Sequence, residues 1–263
     1  MTCRPARDSI VSHVLSSVFQ YIRVPSLVRV LVLLCAVSVT HVRADDRPVV
    51  YLLSGLGADE RSFDRLELPE YETVALPDLL PERGESMEDY ARRMSGLVDP
   101  SRPAVFVGVS FGGMVAVEMA QIIPAEKVII ISSAKTRREL PVRYRMLRWL
   151  PIHRVAGHRF QRVGARIARP LFEPASRGYG DFFQQMVDDK HPRYIRRATH
   201  CIATWSRENP PGGVYHIHGT ADRTIPIGGI ADPIVVQDGS HMMVYIRGDE
   251  ISAIINTILA DRR

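Results

Sequence analysis

The sequence predicts an α/β fold, a mostly parallel central sheet with helices on both faces and an inserted helical cap. Three observations carry that prediction. From Pro48 onward, apolar runs of strand length alternate with segments of helical spacing, the pattern of repeated strand, helix, strand units. Most of those runs are apolar throughout rather than alternating, as strands are when both faces of a sheet are covered. Between Ala134 and about Pro211 the strand signals stop, prolines and aromatics accumulate on helical spacing, and strands then resume.

The chain has 263 residues, 46% hydrophobic and 24% charged, enough for one sizeable core and too apolar for a disordered body. Residues 1–44 stand apart. Basic residues up to Arg29 precede an apolar-to-small run, Val30 to Thr40, and Val42-Arg43-Ala44 follows ahead of Asp45-Asp46. That is the pattern of a signal peptide cleaved near Ala44, hence of an exported, periplasmic or secreted protein. The run is shorter than the about 20 residues a bilayer span requires, so a membrane anchor at residues 30–40 is the alternative. The domain is then 45–263, with the cap at about 134–211. The formal charge of +5 belongs mostly to the leader, where five arginines stand against Asp8, leaving +1 for the remainder; the body carries no electrostatic signature of nucleic-acid binding. Removing the leader leaves Cys201 as the single cysteine, so no disulfide forms within the mature chain, and Cys201 reads as a small buried hydrophobe rather than a nucleophile.

Taken in order, Pro48 to Leu53 is a buried strand running into the loop Ser54-Gly55-Leu56-Gly57. A dinucleotide fingerprint would need its third glycine at Glu60, where a carboxylate would face the pyrophosphate. The competing reading is an oxyanion loop that turns the Leu56 amide inward. Tyr71 to Leu76 is a second strand, and Ser86-Met-Glu-Asp89 opens a helix with a capping box, carrying Tyr90, Met94 and Leu97 inward. Ala104 to Val109 is a strand, Gly113 to Ile123 a helix apolar nearly all round, and Lys127 to Ile131 another strand. After the cap come strands at Gly213 to His218 and Pro233 to Val236, and a closing helix from Asp249 to Leu259.

The centre of this arrangement is Gly108-Val109-Ser110-Phe111-Gly112-Gly113, a strand, a sharp turn and a helix. A serine at such a corner is forced toward positive φ and needs small neighbours two positions away on each side. Its hydroxyl protrudes at the strand's carboxyl end, and the Phe111 amide, at the helix start, faces an oxygen bound there. A hydroxyl attacks only if a base takes its proton, and that base needs a carboxylate to set its tautomer and stabilise its cation. His241, in the loop Asp238-Gly239-Ser240-His241, and Asp222, in Gly219-Thr220-Ala221-Asp222-Arg223, both follow strand ends and complete the order Ser, Asp, His. Asp232 and Asp238 are the substitutes for Asp222. His216 and His218 lie inside a strand and share one face, but with no third ligand nearby they read as core histidines rather than a metal pair. No metal and no cofactor are expected.

Between Lys135 and Arg169 eleven basic residues stand against Glu139 alone. Solvated helix faces whose arginine stems cover apolar surface are the plain reading; weak contact with an anionic membrane surface is the sharper one. The cap aromatics imply an apolar pocket.

Leu53-Ser-Gly-Leu-Gly-Ala-Asp-Glu-Arg-Ser-Phe63, Gly108-Val-Ser-Phe-Gly-Gly113, His218-Gly-Thr-Ala-Asp222 and Gly239-Ser-His241 together resemble the α/β-hydrolase superfamily, specifically small bacterial members of undefined substrate. The resemblance runs over nearly all of residues 48 to 260. It implies a Ser110, Asp222, His241 triad, an oxyanion hole from the backbone of Leu56 and Phe111, and a cap over the pocket. Many relatives carry His-Gly where this chain has Ser54-Gly55, and the elbow serine is unlike the aspartate of haloalkane dehalogenases. The expected activity is a serine hydrolase of the carboxylesterase kind, acting on a small-molecule acyl ester or thioester. An acyltransferase on the same triad and a low-turnover small-molecule binding protein are the alternatives. Oligomeric state is left open.

Overall fold

The runs of Val, Ile and Leu fold into one six-stranded sheet. The computed structural model describes residues 47–154 and 157–261, and the leader expectations fall outside them. The strands are β1 (Val49–Leu53), β2 (Glu72–Ala75), β3 (Ala104–Val109), β4 (Ala125–Ile131), β5 (Val214–Gly219) and β6 (Ile234–Val236). Their order is β2-β1-β3-β4-β5-β6, and every neighbouring pair is parallel. Among the described residues the sheet is therefore wholly parallel, within the predicted class. The helices are α1 (Met87–Ser95), α2 (Phe111–Met119), α3 (Val142–Met146), α4 (His158–Phe172), α5 (Gly180–Asp189), α6 (Tyr194–Thr204), α7 (Met243–Ile246) and α8 (Gly248–Ala260). None of them is long and apolar enough to cross a membrane.

Side chains alternate across the sheet, so each central strand feeds two cores. Tyr51, Leu53, Phe106 and Ile130 pack against α1 and α2 on one face. Val50, Leu52, Val107 and Ile129 pack against Met243, Ile251 and Ile255 of α7 and α8 on the other. Every residue of β1 and β3 is buried, which is why these segments show no polar alternation in the sequence. Register pairs Leu53 with Gly108, Val109 with Ile131, and Gly219 with Val236. The carboxyl ends of the central strands thus finish side by side, where parallel sheets place their ligand sites.

Two helices end earlier than the sequence pattern implies. The Ser86 hydroxyl caps α1, accepting the Asp89 amide at 3.0 Å, and Tyr90 and Met94 point inward. Leu97 does not: α1 stops at Ser95, the chain leaves through Gly96, and Leu97 is 39% exposed because it no longer lies on the buried face. All nine residues of α2 are buried, but it closes at Met119 rather than Ile123. Its last turn tightens, the Gln121 and Ile122 amides donating to the Glu118 and Met119 carbonyls, and Pro124 keeps the chain from resuming the helix.

Between β4 and β5 the described chain is helical, comprising α3 to α6 with short 3-10 turns. Its return is anchored on α2 by Glu118, a carboxylate buried inside that apolar helix. Glu118 accepts the Trp205 indole N–H at 2.8 Å and two Arg207 guanidinium bonds at 2.6 and 2.8 Å. Arg137 donates to the Trp205 carbonyl at 3.0 Å. Arg143 lies over the rings of Tyr144 and Phe172 and donates to the carbonyls of Arg223 and Thr224, joining the helical segment to the loop after β5.

Candidate active site

Ser110 joins β3 to α2 with φ 52° and ψ −117°, a conformation that costs a non-glycine residue about 1–3 kcal/mol. The surroundings enforce it. A Cβ on Gly108 would strike the Gly112 carbonyl, and one on Gly112 would strike the Leu53 carbonyl, so the two glycines let strand, turn and helix approach. The Ser110 amide donates to Ile131 at 3.0 Å, and its carbonyl accepts the Ser133 hydroxyl at 2.6 Å. The backbone is fixed on both sides while the side chain faces a cavity.

Asp222 and His241 reach that side chain from two neighbouring loops. The loops after β5 and β6 pack so closely that a Cβ on Gly219 would strike Gly239. The Ala221 amide donates to the Gly239 carbonyl at 2.9 Å, and the Asp238 amide to the Thr220 hydroxyl at 2.8 Å. Asp222 is buried; one oxygen accepts the amides of Thr224 and Ile225, both at 2.8 Å, and the other meets His241 Nδ1 at 2.8 Å. On the far side of the ring, His241 Nε2 lies 3.0 Å from Ser110 Oγ. An ionised Asp222 holds the proton on Nδ1 and leaves Nε2 free to accept from the serine.

Charge balance favours that state. Burial pushes the Asp222 carboxyl up, but the His241 charge and hydrogen bond outweigh it, and the group sits below the ordinary carboxylate range. Burial pushes the His241 imidazole down; the Asp222 charge and bond, with a smaller contribution from Glu173, carry it above its ordinary value. The two substitutes for Asp222 are not part of this relay. Asp232 and Asp238 are exposed and neither bonds to His241.

The other candidates make no contact with Ser110, though His218 Nε2 comes within 3.4 Å of the Asp222 oxygen that meets His241. His216 and His218 are buried and bonded to each other at 2.9 Å, and His218 Nε2 donates to the Ile225 carbonyl at 2.8 Å, which braces the segment after Asp222. Burial holds both imidazoles below their ordinary value, His216 at about 2, so they stay neutral. Cys201 is buried against the Glu85 carbonyl, and burial raises its thiol to about 12. It has no thiolate to offer.

The glycine loop after β1 lies directly on the serine. A Cβ on Gly55 would sit 3.3 Å from Ser110 Cβ, and Leu56 lines the same cavity. Neither the Leu56 amide nor the Phe111 amide donates to another group among the described residues. What supports this loop was not apparent in the sequence. The Ser54 hydroxyl donates to Asp78 at 3.0 Å, and Asp78 also receives the Tyr194 hydroxyl at 3.0 Å and the Lys190 ammonium. Burial raises the Asp78 carboxyl against the opposing pull of Lys190. The only sequence signal was a carboxylate immediately after a strand, at Pro77-Asp78.

The cavity holds about 560 Å³ and is walled mainly by apolar side chains, among them Met114, Tyr144, Phe172, Phe183 and Ile225. Other cap aromatics face away; Trp149 and Phe160 are exposed. One polar group in the wall was not anticipated. Glu173 is buried, and neither carboxylate oxygen makes a well-formed hydrogen bond among the described residues, although the Ser240 hydroxyl and the Met242 amide face it. Burial raises its carboxyl; the Ser240 hydroxyl and then the His241 charge oppose that.

A parallel sheet, a serine elbow at its carboxyl edge and a Ser, Asp, His order define a class, and the chain belongs to the alpha/beta hydrolase family, whose model matches residues 30–254. It is 27% identical over 251 residues to the magnesium-chelatase 30 kDa subunit of Rhodobacter capsulatus, covering 80% of this chain and 86% of that one. Among solved structures it is similar to a thermophilic esterase from Thermogutta terrifontis, at 18% identity and TM-score 0.61, covering 81% of this chain and 89% of that one. An enol-lactonase from Burkholderia xenovorans matches at 17% identity and TM-score 0.60, covering 83% and 94%. MenH from S. aureus matches at 16% identity and TM-score 0.62, covering 82% and 95%. At these identities the structures speak for the fold, and family membership supports hydrolase activity in general.

Proposed function

We propose that the protein is a serine hydrolase that cleaves a carboxylic ester or thioester through an acyl-enzyme on Ser110. The observation that carries this reading is the pair of contacts on His241, 3.0 Å to Ser110 Oγ and 2.8 Å to Asp222. Ser110 Oγ attacks the acyl carbon as His241 Nε2 takes its proton, and Asp222 stabilises the imidazolium. The carbonyl oxygen, now negative, is held by the unengaged amides of Leu56 and Phe111. His241 returns the proton to the leaving group; water, deprotonated by the same nitrogen, then cleaves the acyl-enzyme and restores Ser110. The apolar cavity suits an acyl chain.

A fluorophosphonate probe is expected to label the wild type and not Ser110→Ala, and a panel of acyl esters is expected to turn over only with the former. Equal labelling of the two proteins would sink the assignment of Ser110. If alcohol acceptors divert the acyl group faster than water takes it, the enzyme is an acyltransferase on the same relay. Ligand binding without labelling or turnover would make the chain a binding protein.

A further inference from the structure

Helix α4 carries its apolar side chains outward. Phe160, Val163, Ile167 and Leu171 recur at the spacing of one helix face, yet all four are exposed, Phe160 and Ile167 at 74% each. A stripe of that kind ordinarily faces a core. The segment before it in the chain also exposes Trp149, at 83%, and Leu150. Nine of the twelve large hydrophobic residues exposed among the described residues lie between Val142 and Leu171, the other three being Leu97, Ile122 and Val235. Scattered apolar side chains need no explanation, but so strong a concentration in one stretch of the chain marks an interaction surface.

The same stretch is strongly basic. From Leu140 to Phe172 the sequence contains eight arginines and no aspartate or glutamate. Arg148, Arg154 and Arg166 are exposed and make no ion pair among the described residues. Apolar residues with uncompensated guanidinium groups around them match the interface of an anionic bilayer, where apolar side chains enter the acyl boundary and cations meet the phosphates. A second copy would instead bring like charge against like charge. The surface also reaches the cavity, because Ile152, exposed within this face, lines the cavity together with Arg143, Leu147 and Phe172.

We propose that the face formed by residues 142–171 docks the protein on an anionic phospholipid surface, with the cavity mouth at its edge. Supply of an acyl lipid from that surface to Ser110 rests on the hydrolase reading; the docking does not. The test is sedimentation of the full-length wild type and of the double variants Phe160→Ser/Ile167→Ser and Arg148→Glu/Arg166→Glu with vesicles of phosphatidylcholine, with and without phosphatidylglycerol. All three proteins carry the same leader, so differences among them report on the face. The wild type is expected to bind phosphatidylglycerol vesicles at least about tenfold more tightly than neutral ones, less so as salt rises, and each double variant to lose about tenfold or more. Thermal unfolding and turnover of a water-soluble ester are expected to match wild type in both variants. Variants that fold and bind vesicles like wild type would overturn the proposal. So would a concentration-dependent dimer that the substitutions abolish while vesicle binding stays absent, since that outcome assigns the face to a second copy. Absence of ester turnover in every protein would count against the hydrolase reading and leave the docking result standing.

Discussion

His241 is held between opposing influences, burial lowering its pKa and two carboxylates raising it, and this sets an expectation for the pH profile. General-base action needs the neutral ring, so the acid limb of kcat/KM follows the His241 pKa in the free enzyme. Removing a negative neighbour lowers that pKa and moves the limb to lower pH. Asp222→Asn is expected to move it and to reduce turnover by roughly four orders of magnitude, the scale seen when a triad loses its carboxylate. Glu173→Gln is expected to move it in the same direction, by less, without the large loss of rate. The profile of kcat/KM on a soluble chromogenic ester checks both, and an unmoved limb in Asp222→Asn would mean that Asp222 does not act through His241. Of the residues around Ser110, the two that the structure brings into contact with it in series, His241 and Asp222, were legible as candidates because serine, aspartate and histidine after strand ends are few. Glu173 was not, since a glutamate in a helical segment is usually solvated and only packing decides otherwise.

Elements depend on side chains that local pattern misreads. The apolar character of α2 is clear in the sequence, and Glu118 looks like its single solvated position. It is instead buried and accepts from both Trp205 and Arg207, making it the peg on which the returning helical segment hangs. Glu118→Ala leaves an indole N–H and a partly exposed guanidinium without an acceptor, and is expected to destabilise the protein by about 3 kcal/mol. Glu118→Gln, which keeps an oxygen for Trp205, is expected to cost less. Urea unfolding with the slope unchanged measures both, and a loss within about 0.5 kcal/mol for Glu118→Ala would place the anchor elsewhere. The loop after β1 follows the same logic: its glycines are visible, but the Asp78 contact from Ser54 joins residues 24 apart, beyond any local motif.

For the whole molecule, the buried histidine pair links stability to pH. His216 is held at about 2, chiefly by burial and then by its neighbours His218, which cannot be protonated together with it, and Lys135, whereas the unfolded chain protonates it near 6.5. Below about pH 6.5 the unfolded state therefore binds the extra proton, and this site costs about 1.4 kcal/mol of stability per pH unit until about pH 2. His241 works with the opposite sign: its raised folded value adds stability below about 6.5 that fades as pH rises through that value. His216→Gln, which can still donate to His218, is expected to show a smaller fall in Tm between neutral and mildly acid pH than wild type. Parallel Tm curves for the two proteins would contradict this.

The order of strands and helices, the serine elbow and the trio of candidate side chains could be read along the chain because they depend on short-range rules: apolar runs for buried strands, small residues around a positive φ, polar residues where strands end. Helix ends slipped, by two residues at α1 and four at α2, because an apolar pattern can run on past the last helical turn. Only the tertiary structure decided that Asp222 rather than Asp232 or Asp238 meets His241, that Glu118 and Glu173 are buried, and that α4 turns its apolar face outward. Each of those is a matter of which distant segments share a volume, and a linear pattern carries periodicity but not the identity of the partner that fills the other side.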